Sequence, residues 1–158
     1  MALLNILTEG EEALRKKCRP VDQVTDRIRT LLDDMYETML HAEGVGLAGP
    51  QVGVLRRVVV IEVPGSGRLD LINPEIIKVK GSQTGREGCL SIPDQCGIVE
   101  RPMKVTVRAL DRDGNLYEIT GEELLARALC HEIDHLDGIL YTDKAERMLT
   151  EEELEEME

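Results

Sequence analysis

CHEIDHLDG, residues 130–138, contains two of the three histidines of the chain, four positions apart, with a glutamate directly after the first. Histidines at this spacing lie on one side of an α-helix, where two ring nitrogens can hold one metal ion. The glutamate can then reach a water molecule beside that ion. The same pattern also arises by chance, as an ordinary polar patch on a helix. The surroundings of His131, Glu132 and His135 therefore decide between the two interpretations.

A helix long enough to carry this stretch is predicted from both of its ends. Thr120 and Glu123 have the spacing of a capping box, and Gly138 is a typical residue after a helix that runs to Asp137. One stripe of this helix contains Leu124, Ala128, His131 and His135, and the neighbouring stripe contains Leu125, Leu129, Glu132 and Leu136. The histidines therefore point where aliphatic side chains point. Each buried polar group left unpaired costs about 1–3 kcal/mol, which favours a metal ion over the chance interpretation.

Length and composition indicate one soluble globular domain. The chain has 158 residues, of which 42% are hydrophobic and 32% charged, and it contains no Phe or Trp. Its net charge of −12 argues against direct nucleic-acid binding. The beginning, MALLNILTEG, lacks the features of a signal peptide, and the aliphatic run VVVIEV at 58–63 is too short to span a membrane. We expect a cytoplasmic protein without membrane contact.

The remaining pattern predicts an α+β fold. Apolar residues at helical spacing in TDRIRTLLDDMYETMLHAEG, residues 25–44, predict an N-terminal amphipathic helix. Five short strands separated by turn signals predict antiparallel pairing: RVVVIEV (57–63), DLINPEIIKVK (70–80), EGCLSI (87–92), MKVTVRALD (103–111) and NLYEIT (115–120). The predicted architecture has antiparallel or mixed strands packed around the central HExxH-bearing helix. We expect a single catalytic domain at 1–147 and a short acidic tail at 148–158.

Two histidines need at least one further ligand, and the peptidase patterns do not supply it convincingly. The form HExxHxxGxxH fits as far as Gly138 but has Tyr141 in place of its third histidine. A downstream glutamate ligand would have to come from the acidic tail.

A cysteine thiolate is the other kind of ligand to consider. Cys18 lies among Lys and Arg residues and is predicted to be exposed, and the side chain of Cys130 points about 100° away from His131 around the helix. Cys89, in EGCLSIP at 87–93, is the favoured ligand, and Cys96 is its rival. Any single cysteine can also be a small buried hydrophobe.

Three separated motifs, GVGLAGPQ (44–51), EGCLS (87–91) and HEIDH (131–135), resemble in sequence and order the signature motifs of the peptide deformylase family. The similarity runs from about residue 3 to 145. It implies that Cys89, His131 and His135 bind the metal ion and that Glu132 is the general base and acid. It also implies that the side-chain amide of Gln51 and the backbone N–H of Leu90 stabilise the oxyanion.

The resemblance further implies the reaction and its substrate. A water or hydroxide on the metal would attack the formyl group of N-terminal formylmethionine in nascent polypeptides and release formate. One divalent ion per chain is implied, with Fe²⁺ expected, while Zn²⁺, Ni²⁺ and Co²⁺ suit the same ligand types. The substrate would contact Val45, Gly46, Glu87, Leu124, Arg127 and Ala128, with the peptide paired along Val45 and Gly46 and the methionine in a mainly apolar pocket beside His131.

Some features depart from the family or permit another interpretation. Gly44, Gly46 and Gly49 spell GxGxxG, but they follow a predicted helix and precede a strand, which is the wrong order for a dinucleotide loop. Gly49 stands where the family usually has Ala and was expected to loosen its loop; Cys130 stands where it commonly has Gln. Ribosome proximity is compatible with the substrate, but the acidic tail argues against docking through that end.

A zinc peptidase or other amidohydrolase is one alternative, and a closed, non-catalytic metal or redox-sensing domain is another. An open coordination position would distinguish an enzyme from a closed site.

Overall fold

The computed structural model describes residues 2–157, so the first residue of the predicted domain and the last residue of the predicted tail lie outside it. The helices are α1 (Asp26–His41), α2 (Leu124–Leu136) and α3 (Glu151–Glu156). The strands are β1 (Gly46–Ala48), β2 (Val58–Ile61), β3 (Leu69–Lys80), β4 (Gln83–Cys89), β5 (Ile92–Arg101), β6 (Lys104–Leu110), β7 (Leu116–Glu122) and β8 (Ala145–Met148).

The strands form two antiparallel sheets. Five of them pair in the order β1-β2-β3-β6-β7, and three pair in the order β4-β5-β8. Every pairing among these eight strands is antiparallel, and one isolated bridge outside them, between Arg19 and Arg56, is parallel. The two antiparallel sheets with their few helices confirm the predicted α+β class.

Helix α1 begins where a threonine satisfies an unpaired backbone group. The hydroxyl of Thr25 accepts a hydrogen bond from the backbone N–H of Ile28 at 3.3 Å. The helix buries Leu32, Met35 and Met39 completely, in a cluster that includes residues of β1 and β2. Burying a side chain of this size contributes roughly 1.5–3 kcal/mol, so this apolar stripe holds α1 against the larger sheet.

Helix α2 lies against the larger sheet, but it does not begin at a capping box. Thr120 belongs to β7, and its hydroxyl lies 2.9 Å from the hydroxyl of Thr106 on β6. Strand β7 continues to Glu122, which pairs with Lys104, and Glu123 turns the chain with φ 52° and no side-chain cap. The capping-box prediction was wrong because pairing with β6 outcompetes the local signal. Within α2, the buried side chains against the sheet are Ala126, Ala128, Leu129, Cys130, Ile133 and Leu136.

Three further details differ from the predictions. The chain between the predicted strands at 70–80 and 87–92 is a turn only at Gly81 and Ser82, because β4 begins at Gln83. Strand β5 extends from Ile92 to Arg101, although only its first residue was predicted as strand. Pro93 and Gly97 hide the alternation that marks a strand, so the hairpin with β4 is visible only in the pairing. Cys18, expected to be exposed, is 4% exposed because it packs in the same apolar cluster as Leu136, and its backbone N–H donates to the carbonyl of Leu136 at 2.8 Å.

The C-terminal residues add one strand and one short helix. Strand β8 pairs with β5, and α3 begins at Thr150, whose hydroxyl accepts from the backbone N–H of Glu153 at 3.2 Å. Helix α3 buries none of its side chains. None of the helices within residues 2–157 is long and apolar enough to cross a membrane.

Candidate metal centre

The end of β4 and the middle of α2 bring three metal-binding side chains together. Ligand atoms of Cys89, His131 and His135 all lie within 4.8 Å of one another. The thiol sulfur of Cys89 is 3.3 Å from Nε2 of His135. His135 is completely buried and His131 nearly so. The three residues predicted as ligands therefore form one compact cluster.

The ring of His131 is oriented by a buried carboxylate. Nδ1 of His131 lies 2.8 Å from Oε1 of Glu87. Burial alone would raise the pKa of Glu87, but hydrogen bonds from Arg101 and His131 hold that pKa well below its usual range. A charged Glu87 accepts a hydrogen bond from Nδ1–H, which keeps the proton on Nδ1 and leaves Nε2 of His131 available to a metal ion. Glu87 thus has a structural role beyond lining the pocket, where the sequence had placed it.

Two buried arginines balance the charge of this carboxylate. Arg101 donates to Glu87 through Nε at 2.9 Å and Nη2 at 2.8 Å, and Arg127 donates through Nη1 at 2.6 Å. Arg101 also reaches Asp134 on α2 at 2.7 Å. Sequence reasoning missed Arg101 and Asp134 because no motif connects the end of β5 with α2.

Glu132 projects into the same centre from the neighbouring stripe of α2. Its Oε2 lies 4.0 Å from Nε2 of His131, and its Oε1 is buried with no hydrogen-bond partner. Burial raises the pKa of Glu132 to about 7. A carboxyl group with this pKa can both accept and donate a proton near neutral pH.

Gly46 gives Glu132 the space that it occupies. A Cβ atom at position 46 would lie 2.5 Å from Oε2 of Glu132. Any side chain on this residue of β1 would therefore displace the carboxylate. Gly46 of the GVGLAGPQ motif is therefore required by its close packing against Glu132 of the HExxH motif.

The amide of Gln51 is held at both ends. Its Oε1 accepts from the backbone N–H of Ala48 at 2.9 Å, and its Nε2 donates to the hydroxyl of Ser91 at 3.1 Å. Nε2 also lies 3.5 Å from the sulfur of Cys89, so its donor end faces the centre. Leu90 follows Cys89 directly in the turn between β4 and β5 and lines a cavity beside the centre. Ser91 was not singled out from the sequence, although it belongs to the EGCLS motif.

The loop that carries Gln51 is tightly packed at Gly49. A Cβ atom there would meet the carbonyl oxygens of Val54 and Arg56 at 2.7 Å. The missing side chain lets two backbone carbonyls approach, so the loop is closely packed at the position where a looser loop is predicted.

The other ligands considered from the sequence lie elsewhere. Tyr141, at the position of the third histidine in one peptidase pattern, stacks on the ring of His131 with centroids 5.9 Å apart. Cys96 and Cys130 are not part of the ligand cluster, and burial raises the pKa of Cys130 to about 11, which favours its thiol form. The glutamates of α3 are not part of the cluster either.

The residues of the cluster fit a divalent metal ion. Buried Oε1 of Glu132 and Nδ1 of His135 have no hydrogen-bond partner among residues 2–157, which indicates that the centre is not a self-sufficient polar network. One thiolate and two imidazoles are ligand types that suit Zn²⁺, Fe²⁺, Ni²⁺ and Co²⁺. An ion held by these three residues alone would keep a fourth position for water or substrate.

A cavity of about 430 Å³ opens beside this centre. It is lined by all of the residues predicted to contact the substrate, namely Val45, Gly46, Glu87, Leu124, Arg127 and Ala128, and also by Gln51, Leu90, His131 and Glu132. The three sequence motifs therefore meet at one cavity.

A family model described as polypeptide deformylase matches residues 3–151 of the chain. The chain belongs to the peptide deformylase family. The peptide deformylase of Caldanaerobacter subterraneus is 59% identical over 155 residues, which cover 98% of this chain and 97% of that protein. Peptide deformylase of Acetivibrio thermocellus is also 59% identical over 155 residues, covering 98% of this chain and 91% of the relative.

Solved peptide deformylases have the same fold. The crystal structure from Legionella pneumophila aligns with a TM-score of 0.88 at 42% identity and covers 99% of this chain and 95% of its own. The structure from Synechococcus elongatus, in complex with actinonin, has a TM-score of 0.88 at 38% identity. The alignment covers 97% of this chain and 82% of that one. The family predicted from the three motifs is confirmed, and with it the class of enzyme, a metal-dependent hydrolase.

Proposed function

We propose that the chain removes the formyl group from the N-terminal formylmethionine of nascent polypeptides and releases formate. One observation carries this proposal: Cys89, His131 and His135 form one cluster of ligand atoms beside a cavity that Glu132 and Gln51 line. Cys89, His131 and His135 hold one divalent ion, with Fe²⁺ expected. When bound, such an ion supplies Lewis-acid polarisation and activates water.

Glu132 moves the protons of the reaction. Its carboxylate takes a proton from the attacking water and delivers it to the nitrogen that leaves as the free amine. The pKa of about 7, raised by burial, allows both steps near neutral pH. Gly46 keeps the path between Glu132 and the formyl group clear, because no side chain at this position enters it.

Gln51 and Leu90 stabilise the negative charge that develops on the formyl oxygen. The amide of Gln51 is oriented before the substrate arrives, because Ala48 and Ser91 fix both of its ends. The backbone N–H of Leu90 provides the second donor. Losing one donor of this kind typically lowers the rate roughly 100- to 1000-fold.

The substrate peptide extends along β1. This strand lies at the end of the five-stranded sheet, and Val45 and Gly46 line the cavity beside it. A peptide can add to such an edge as a further strand. The methionine side chain enters the cavity between Leu124, Ala128 and the wall formed by His131.

The partners follow from the substrate and the charge of the chain. Nascent formylmethionyl chains bring the enzyme near the ribosome in the cytoplasm, without contact to nucleic acid or membrane. Residues 1–147 carry the catalytic site, and the acidic tail at 148–158 does not provide a basic docking segment.

The test is an anaerobic assay of the metal-loaded protein on formyl-Met-Ala, with metal analysis of the same sample. We expect formate release and about one divalent ion per chain. Glu132→Gln is expected to keep the metal and lose turnover. A metal-loaded protein without activity would support the closed metal or redox-sensing alternative, and full activity of the variant would exclude the role of Glu132.

A further inference from the structure

Arg127 places a guanidinium in the wall of the substrate cavity. Its side chain is only 9% exposed, and the residue lines the cavity beside Leu124 and Ala128. Both side-chain hydrogen bonds of Arg127 to the described residues come from Nη1, which donates to Glu87 at 2.6 Å and to the carbonyl of Val99 at 3.1 Å. Nε and Nη2 make no hydrogen bond to the described residues, and neither is among the buried polar atoms sealed from solvent. Their N–H groups therefore retain contact with solvent, in a residue that lines a cavity predicted to be mainly apolar.

Gly85 on β4 makes room for this arrangement. A Cβ atom at position 85 would lie 3.2 Å from Nη2 and 3.6 Å from Cζ of Arg127. The guanidinium packs over the glycine, and its position is fixed by the two hydrogen bonds from Nη1. The donors of Nε and Nη2 are thus held in place before any ligand arrives.

Fixed donors beside a cavity favour a ligand that carries a hydrogen-bond acceptor. A thioether sulfur is only a weak acceptor, whereas a sulfoxide oxygen is a strong one on a side chain of the same length. Arg127 already has an anionic partner, since Nη1 donates to Glu87 at 2.6 Å. A neutral dipolar acceptor therefore fits better than a carboxylate, which would bring an unpaired charge.

We propose that Arg127 extends the substrate range of this site to formyl peptides whose first residue is methionine sulfoxide. The guanidinium donates to the sulfoxide oxygen while the formyl group lies at the metal centre. The inference rests on the proposed deformylase function. The reaction is the same hydrolysis, in which water and the formamide give formate and a free amine, and the sulfoxide passes through unchanged.

The test compares three peptides with the metal-loaded enzyme: formyl-Met-Ala, its sulfoxide and its norleucine analogue, which has the shape of methionine without an acceptor. Arg127→Leu removes a hydrogen bond from a charged group to the sulfoxide oxygen. We expect this loss to lower kcat/KM for the sulfoxide, relative to that for methionine, roughly ten- to hundredfold. The ratio of norleucine to methionine is expected to stay the same. Arg86→Leu is the matched control, because Arg86 is an exposed arginine that lines the same cavity.

A second variant keeps the inference testable if Arg127→Leu does not fold. Gly85→Ala leaves the guanidinium in the chain but crowds Nη2, and is expected to lower the ratio of sulfoxide to methionine. Thermal unfolding of each variant shows which of them are folded. A parent enzyme that processes formyl-Met-Ala but not its sulfoxide overturns the inference. The inference also fails if the ratio of kcat/KM for the sulfoxide to that for methionine is the same in the parent and in every folded variant at position 127 or 85. A metal-loaded parent that processes neither peptide overturns the proposed function and this inference with it.

Discussion

Oε1 of Glu87 lies 2.8 Å from Nδ1 of His131, so a carboxylate on β4 orients an imidazole on α2. The same carboxylate accepts hydrogen bonds from Arg101 and Arg127. It therefore connects the metal centre, the wall of the cavity and the smaller sheet. A change at Glu87 should alter the stability of the fold and the affinity for metal together.

Replacing Glu87 by Gln is expected to weaken both properties. The amide can still contact His131, but it leaves Arg127 without its carboxylate partner and Arg101 with Asp134 alone. Breaking a buried ion pair in this way costs about 3–5 kcal/mol. Loss of the partner that orients a ligand histidine typically lowers metal affinity about 10- to 100-fold. Urea unfolding and competition with a chelator measure the two effects. Unchanged metal affinity in the folded variant would show that Glu87 does not orient His131.

Gly46→Ala is expected to reduce catalysis while metal binding persists. The new methyl group would lie only 2.5 Å from the present position of Oε2 of Glu132, so the carboxylate must move. Misplacing a catalytic group by about 1 Å can lower the rate about 100-fold. The measurement is kcat for formyl-Met-Ala together with the metal content of the variant. Wild-type kcat would mean that Glu132 tolerates the displacement.

The chemistry of the centre was predictable because each motif is short and local. His131, Glu132 and His135 lie within one helical turn and a half, so their common face follows from helical geometry alone. Cys89 and Cys96 both remained candidates from the sequence, the family resemblance favoured Cys89, and the structure places Cys89 in the cluster. Arg101 could not be predicted, because its contact with Glu87 depends on the β4-β5 pairing, in which fourteen positions separate the two residues.

Local signals also failed where a neighbouring strand offered stronger bonding. Thr120 and Glu123 form a capping box in the sequence, yet Thr120 lies in β7 because the ladder with β6 extends to Glu122. Cys18 is flanked by charged residues, yet it is buried where the chain crosses the end of α2. Both errors arise from contacts between residues far apart in the chain, which a sequence pattern does not contain.

Asp33 is expected to make the fold more stable above its unfolded pKa. Hydrogen bonds from Arg112, and then from Arg68, lower the pKa of Asp33 from 3.8 to about 2. Because the folded pKa is below the unfolded one, the stabilisation is present above about pH 4 and is lost as the pH falls through about 2. The measurement is the free energy of unfolding of the parent and of Asp33→Asn across this range. A difference that stays constant with pH would show that the arginines do not act through the charge of Asp33.

Thr25 and Thr120 offer a direct comparison of a real cap with an apparent one. Thr25→Ala removes the oxygen that accepts from the N–H of Ile28 at the start of α1, and loss of such a cap costs about 1 kcal/mol. Thr120→Ala removes only a hydroxyl contact with Thr106 on the exposed face of β7, so its cost should be smaller and should not fray α2. Denaturant unfolding gives both free energies, and hydrogen exchange of the amides at 124–127 reports on the start of α2. Faster exchange there in the Thr120 variant alone would restore Thr120 as the cap of α2 and contradict its assignment to β7.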